Sequence, residues 1–169
     1  MKKLALALAL LATISLSALA QKQPATPWKI VDMEMVSKHG GNCDWDDETC
    51  TATFTQKWDR WIDLPEVSGD LSEHTQLHLT ILRSTCMLKV VVRYKDADGK
   101  QQQVDAATFY RQMGKTIDKE TKIKCDLTNG GKIGADILGN ITSIRISMAK
   151  EVDGNEEPWE TQFGEVTIF

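Results

Sequence analysis

Between Gln76 and Tyr94 apolar and polar residues alternate, and this period of two constrains the fold more than any other feature of the chain. Leu77, Leu79 and Ile81 alternate with Gln76, His78 and Thr80, the pattern of a strand with one buried face. Cys86, Leu88, Val90, Val92 and Tyr94 then share one face of a second strand. Asp96-Ala97-Asp98-Gly99 supplies the turn chemistry of a hairpin, which makes Gln101 to Val104 the return strand.

Shorter runs of the same kind flank this centre. Trp28 to Val36 is a candidate first strand, Thr51 to Thr55 is β-prone, and Lys57 to Leu64 continues extended until Pro65, with a turn at Gly69-Asp70-Leu71-Ser72. Ala106 to Met113 fits a helical turn or a strand. Ile123, Cys125 and Leu127 alternate with Lys122, Lys124 and Asp126, and Ile133 to Leu138 reads as one helical turn ended by Gly139. Ile144, Ile146 and Met148 form another strand, and Val166 with Ile168 a last one. About eight short strands with almost no helix predict an all-β fold, an antiparallel β-sandwich.

The N-terminal twenty residues have a different character. Lys2 and Lys3, an apolar run from Leu4 to about Leu16, and Ser17-Ala18-Leu19-Ala20 read as a cleaved signal peptide of bacterial type. The apolar run is shorter than the ~20 residues a bilayer needs, so no membrane span is expected. No cysteine follows Ala20 to carry a lipid anchor. The expected organisation is a signal peptide at 1–20, an exposed leader at 21–27 and a single β-sandwich domain at 28–169, secreted or periplasmic. With Lys2 and Lys3 removed, 18 basic residues stand against 24 acidic ones, a net charge of −6. Phosphate backbones demand basic patches, so nucleic acid is excluded as a partner.

Cys43, Cys50, Cys86 and Cys125 all lie in the exported part, where an even count predicts two disulfides. Of three connectivities, Cys43 with Cys50 is favoured by their short separation and by Gly40, Gly41 and Asn42 beside them. Cys86 then pairs with Cys125, since both fall on inward phases of their strands. Spacings of 7, 36 and 39 residues do not make a zinc site.

Asp70-Leu71-Ser72 before a strand, Asp126-Leu127 at a strand end, and Ile141-Thr142-Ser143-Ile144-Arg145-Ile146 before a short final strand follow one order. Over about residues 51 to 169 the chain resembles the galactose-binding-domain-like jelly rolls that serve as carbohydrate-binding modules of secreted bacterial proteins. The resemblance implies a ligand-binding sandwich with sugar as the default ligand. Such modules often end in acidic residues beside calcium, whereas Gly164 to Phe169 offers only Glu165.

Five tryptophans suit that expectation, because a flat apolar ring stacks on a pyranose. If Lys57 to Leu64 is extended, Trp58, Arg60, Ile62 and Leu64 share the apolar face, while Asp59, Trp61 and Asp63 share the solvent face. Trp61 between two carboxylates is then the candidate sugar platform, with Asp59 and Asp63 assisting. Trp159, in the polar stretch Gly154 to Glu160, is a second candidate on a loop, or a lid on the core.

Other constellations are weaker. Asp44, Asp46, Asp47 and Glu48 could hold calcium, but their spacing fits no EF-hand and a solvated acidic loop accounts for them, so no cofactor is expected. His74 and His78 on a strand would sit about 13 Å apart, too far for one ion. No placed nucleophile, base or carboxylate pair stands out, so no enzyme is expected; a glycoside hydrolase is the reading with least support. The sequence therefore predicts a non-catalytic glycan binder, with an envelope module that binds protein through a sheet edge or aromatic patch as its rival.

Overall fold

The computed structural model describes residues 26–169. The signal segment and residues 21–25 of the leader lie outside them. Ten strands form two antiparallel sheets: β1 (Lys29–Val31), β2 (Cys43–Asp46), β3 (Thr51–Phe54), β4 (Trp61–Asp63), β5 (Gln76–Ser84), β6 (Cys86–Lys95), β7 (Gln101–Thr108), β8 (Thr121–Asp126), β9 (Ile141–Glu151) and β10 (Trp159–Ile168). One sheet runs β2-β3-β10-β5-β8, with β1 also paired to β10; the other runs β4-β9-β6-β7. Among the described residues no helix is long and apolar enough to cross a membrane.

The alternation builds the core directly. Leu77, Leu79 and Ile81 of β5 are at most 1% exposed, and Leu88, Val90, Val92, Ile144 and Ile146 of the facing sheet are fully buried. Each such side chain contributes about 1.5 to 3 kcal/mol by leaving water. Thr85 alone separates β5 from β6, so the chain passes from one sheet to the other at a single residue. Thr85 N–H donates to the Glu160 carbonyl (2.9 Å), and the Ser84 and Thr161 hydroxyls bond each other (2.8 Å), which fastens that corner. The β6–β7 turn forms as expected, with Gly99 at φ +75° and the Asp96 carboxylate accepting from the Asp98 and Lys100 amides.

Several details depart from the expected pattern. The first strand stops at Val31, where Asp32 caps a 3₁₀ turn over Met33–Met35. The ambiguous stretch after Ala106 continues β7 to Thr108. The expected helical turn does form, as a four-residue helix over Ala135–Leu138 ended at Gly139. The acidic stretch is not a loop: Cys43–Asp46 is a strand whose Cys43 and Trp45 face inward while Asp44 and Asp46 face out. At its turn the Asp46 carboxylate accepts from the Glu48 amide and from the amide and hydroxyl of Thr49, capping the chain.

The expected disulfides are absent, and all four cysteines are thiols. The β2–β3 hairpin pairs Cys43 with Phe54 and ends at the pair Asp46 and Thr51. Cys43 is thus three strand residues from the turn that holds Cys50, about 10 Å, beyond the ~7 Å a bridge spans. Cys125 lies opposite Leu77 at the start of β5, whereas Cys86 follows its end at Ser84, roughly 20 Å along the strand. The shared inward phase was real, but inward residues at opposite ends of a sandwich do not meet.

Candidate functional site

The outer face of the four-stranded sheet carries most of the expected ligand residues. Strand register sets them in rows: Trp61 opposite Ser147 and Ser147 opposite Lys89; Asp63 opposite Arg145, then Val91, then Asp105; Ser143 opposite Arg93, then Gln103. Neighbouring strands are about 4.8 Å apart, so Trp61 and Lys89 stand near 10 Å from one another across β9. Between them lies a cleft of about 300 Å³, at the small end of ligand pockets, bordered also by Lys57, Trp58, Asp59 and Arg60.

Asp59 explains the shape of the cleft's rim. Its backbone is in the left-handed region (φ +54°), which aspartate tolerates better than most residues. This resets the phase of the strand. Arg60, Ile62 and Leu64 point inward as the alternation predicts, but Trp58 is thrown out and is 66% exposed. Trp58 therefore leaves the apolar set it was expected to join and becomes the most open aromatic ring at the site.

The same aspartate is fixed from both sides. Its Oδ2 accepts from the Gly41 amide (2.6 Å) and its Oδ1 from the Trp61 indole N–H (2.7 Å). These bonds, the Gly41 amide foremost, hold the Asp59 carboxyl below the usual carboxylate range. Gly40 and Gly41, read from sequence as turn formers for a disulfide, serve this contact instead. A Cβ on Gly40 would run into the Asp59 carbonyl and the Trp61 indole. Gly40 N–H donates to the Trp61 carbonyl (2.8 Å) and Asp63 N–H to the Lys38 carbonyl (2.9 Å), so residues 38–42 strap the outer side of β4.

Asp63 is not on open solvent. Only 5% exposed, it accepts from Arg145 Nε (2.7 Å) and Nη2 (3.3 Å) and from Arg93 Nη1 (3.2 Å). The Arg145 guanidinium then lies over the Trp61 ring, 3.2 Å from its centre. One face of Trp61 is thereby covered, and Asp63 acts by positioning Arg145. Both oxygens of each carboxylate thus accept from fixed donors.

Trp159 is elsewhere. It opens β10, opposite Phe54, and is 6% exposed, with its indole N–H near the Asn155 carbonyl (3.4 Å) and Arg60 Cζ 5.4 Å above its ring. Of the two sequence readings of Trp159, the core position is the one observed. Arg60, which the alternation of Lys57 to Leu64 puts on the apolar face without assigning it a role, is buried against this ring. A second cavity of about 280 Å³ lies beside Asp63 and Ser143 under the Leu64–Ser68 stretch, with no aromatic side chain in its wall. Among the described residues no group of three His, Cys, Asp or Glu side chains is gathered to hold a metal. Compared with protein-family models, with curated proteins and with solved structures, the chain matches none.

Proposed function

We propose that this is an exported, non-catalytic sandwich that binds a glycan on the outer face of its four-stranded sheet. The observation that carries the reading is the cleft itself, where an exposed Trp58 ring, the Trp61 edge and a preset Asp59 carboxylate surround about 300 Å³. A pyranose needs a flat apolar surface with oriented polar groups beside it. Here Trp58 supplies the surface, while Asp59, Ser147 and Gln103 supply polar groups from three different elements. The galactose-binding-like jelly roll suggested by sequence agrees with this at the level of two packed antiparallel sheets. Export rests on the N-terminal signal pattern.

A glycan array of the mature protein, with and without EDTA, tests the reading. Binding in the millimolar to micromolar range, lost in Trp58→Ala and Trp61→Ala with the fold retained, is expected. No binding across a broad panel overturns it. The protein-binding rival draws on other residues, since Trp28, Ile30 and Met35 are 41%, 61% and 53% exposed within one short stretch. In that case Ile30→Ser abolishes capture of an envelope protein while the cleft variants leave it intact.

A further inference from the structure

The six-stranded sheet ends in β2 on one side and β8 on the other, and both end strands keep free backbone groups. Gln76 and Phe169 exchange both of their backbone bonds, so the next residue, Leu77, turns its own toward Cys125. The amides and carbonyls of Lys122 and Lys124 therefore point away from β5, to the open side of β8. On β2 the Asn42 carbonyl accepts from the Thr55 amide, so Asp44 and Asp46 bond to β3 while Cys43 and Trp45 turn outward. The Gly40 carbonyl takes the Cys43 amide (3.1 Å). That leaves the Cys43 carbonyl and the amide and carbonyl of Trp45 as the free groups of β2.

The two edges carry opposite charge on the same face. Asp44 and Asp46 stand exposed at one end of the sheet, Lys122 and Lys124 at the other. Among the described residues neither aspartate nor Lys124 has an ion-pair partner, and Lys122 has only the exposed Glu120 at 3.9 Å. All neighbouring strands between the edges are antiparallel, and the four steps from β2 to β8 leave these two running the same way.

We propose that the protein associates with itself head to tail, the β2 edge of one copy extending the six-stranded sheet of the next beyond β8. A copy turned by a two-fold axis along the sheet normal sets lysine against lysine or aspartate against aspartate, which is repulsive. A copy shifted sideways without turning sets β2 parallel to β8. With Trp45 opposite Ile123, the Trp45 amide donates to the Lys122 carbonyl, the Trp45 carbonyl accepts from the Lys124 amide, and the Cys43 carbonyl accepts from the Lys122 amide. Every free group of β2 then has a partner. The same register puts Asp44 opposite Lys122 and Asp46 opposite Lys124. Lysines on an edge strand ordinarily keep other strands away, and here they spare only an acidic one. Such a contact is heterologous, so it does not close at a dimer.

Sedimentation velocity of the mature protein over a concentration series at low salt is the test. Mass that grows past a dimer with concentration and falls back at high salt is expected. Asp46 also caps its own turn, so charge is reversed at Asp44 and at its opposite, Lys122. Asp44→Lys and Lys122→Glu, both exposed changes, each weaken association about tenfold, because an attraction becomes a repulsion. An equal mixture of the two regains the wild-type affinity, since every contact between unlike variants again joins a cation to an anion. A wild type that stays monomeric up to millimolar concentration, growth that stops at a dimer, or a mixture no better associated than its components overturns the proposal. Glycan binding on the other sheet is independent of all three results.

Discussion

On the outer face of the six-stranded sheet, Asp44 and Asp46 of β2 and Lys122 and Lys124 of β8 stand exposed beside the neutral Thr51 and Thr53 of β3 and Thr80 of β5, so the charges there remain in water. On the outer face of the four-stranded sheet the equivalent positions carry Trp61, Asp63, Lys89, Arg93 and Arg145. The backbone period is the same on both. Within one molecule the first face asks little of its residues beyond β-propensity and solubility. The second withdraws Asp63 and much of Arg145 from water, which costs several kcal/mol per ion unless geometry and hydrogen bonds offset it. A face that keeps buried ions in a fixed array is organised for something more than covering a core.

That contrast can be broken most directly at Asp63. Asp63→Ala leaves Arg145 and Arg93 without their shared acceptor and is expected to destabilise by about 3 to 5 kcal/mol, whereas Thr53→Ala on the opposite sheet stays within about 0.5 kcal/mol. Urea denaturation of the two variants checks this; equal costs would show that the two faces are energetically alike. Next in size is Arg145→Met, which removes the cover from Trp61. It is expected to cost about 2 kcal/mol and to raise acrylamide quenching of tryptophan emission, while Arg83→Met on the other sheet changes neither.

The inner faces, unlike the outer ones, should behave identically. Burial pushes the Cys43 and Cys125 thiols up to about 12 and raises that of Cys86 as well, so each stays protonated and unreactive. Titration with a thiol reagent in native buffer is expected to modify Cys50 alone and, in denaturant, all four; a native count of two or more would mean that one inner face opens. The smallest effect concerns acid. Because the folded Asp59 pKa lies below its unfolded value, the stability that Asp59 contributes is present above about pH 4 and is lost as pH falls through the depressed value. Asp59→Asn should flatten the acid limb of a stability profile slightly, and an unchanged limb would detach Asp59 from the strap.

How much of this was legible in the sequence depended on whether local pattern or tertiary contact decided the residue. Strands with uninterrupted alternation, such as Leu77 to Ile81 and Leu88 to Val92, could be read to the residue because burial on one face leaves only one phase. Trp58 was misplaced because a left-handed backbone at Asp59 is stabilised by Gly41 and Asn42, whose bonds to Asp59 and Trp58 span 18 and 16 residues. The cysteine pairs failed for a related reason: phase tells which face a thiol is on, but not where along the sandwich it sits. Trp61, Asp59 and Asp63 do come together, yet that two arginines from β6 and β9 would enclose Asp63 depends on strand order, which no local pattern reports.

The 38–42 strap has a consequence for self-association. An unpaired sheet edge offers a row of free amides and carbonyls on which another chain can build. Along β4 the Trp61 carbonyl and the Asp63 amide are already taken by Gly40 and Lys38. The sheet that carries the candidate ligand face is therefore closed to extension at that end. Loosening the strap, as Gly40→Ala would, puts a tryptophan-bearing edge within reach of its copies and turns a binding surface into a seed for aggregation.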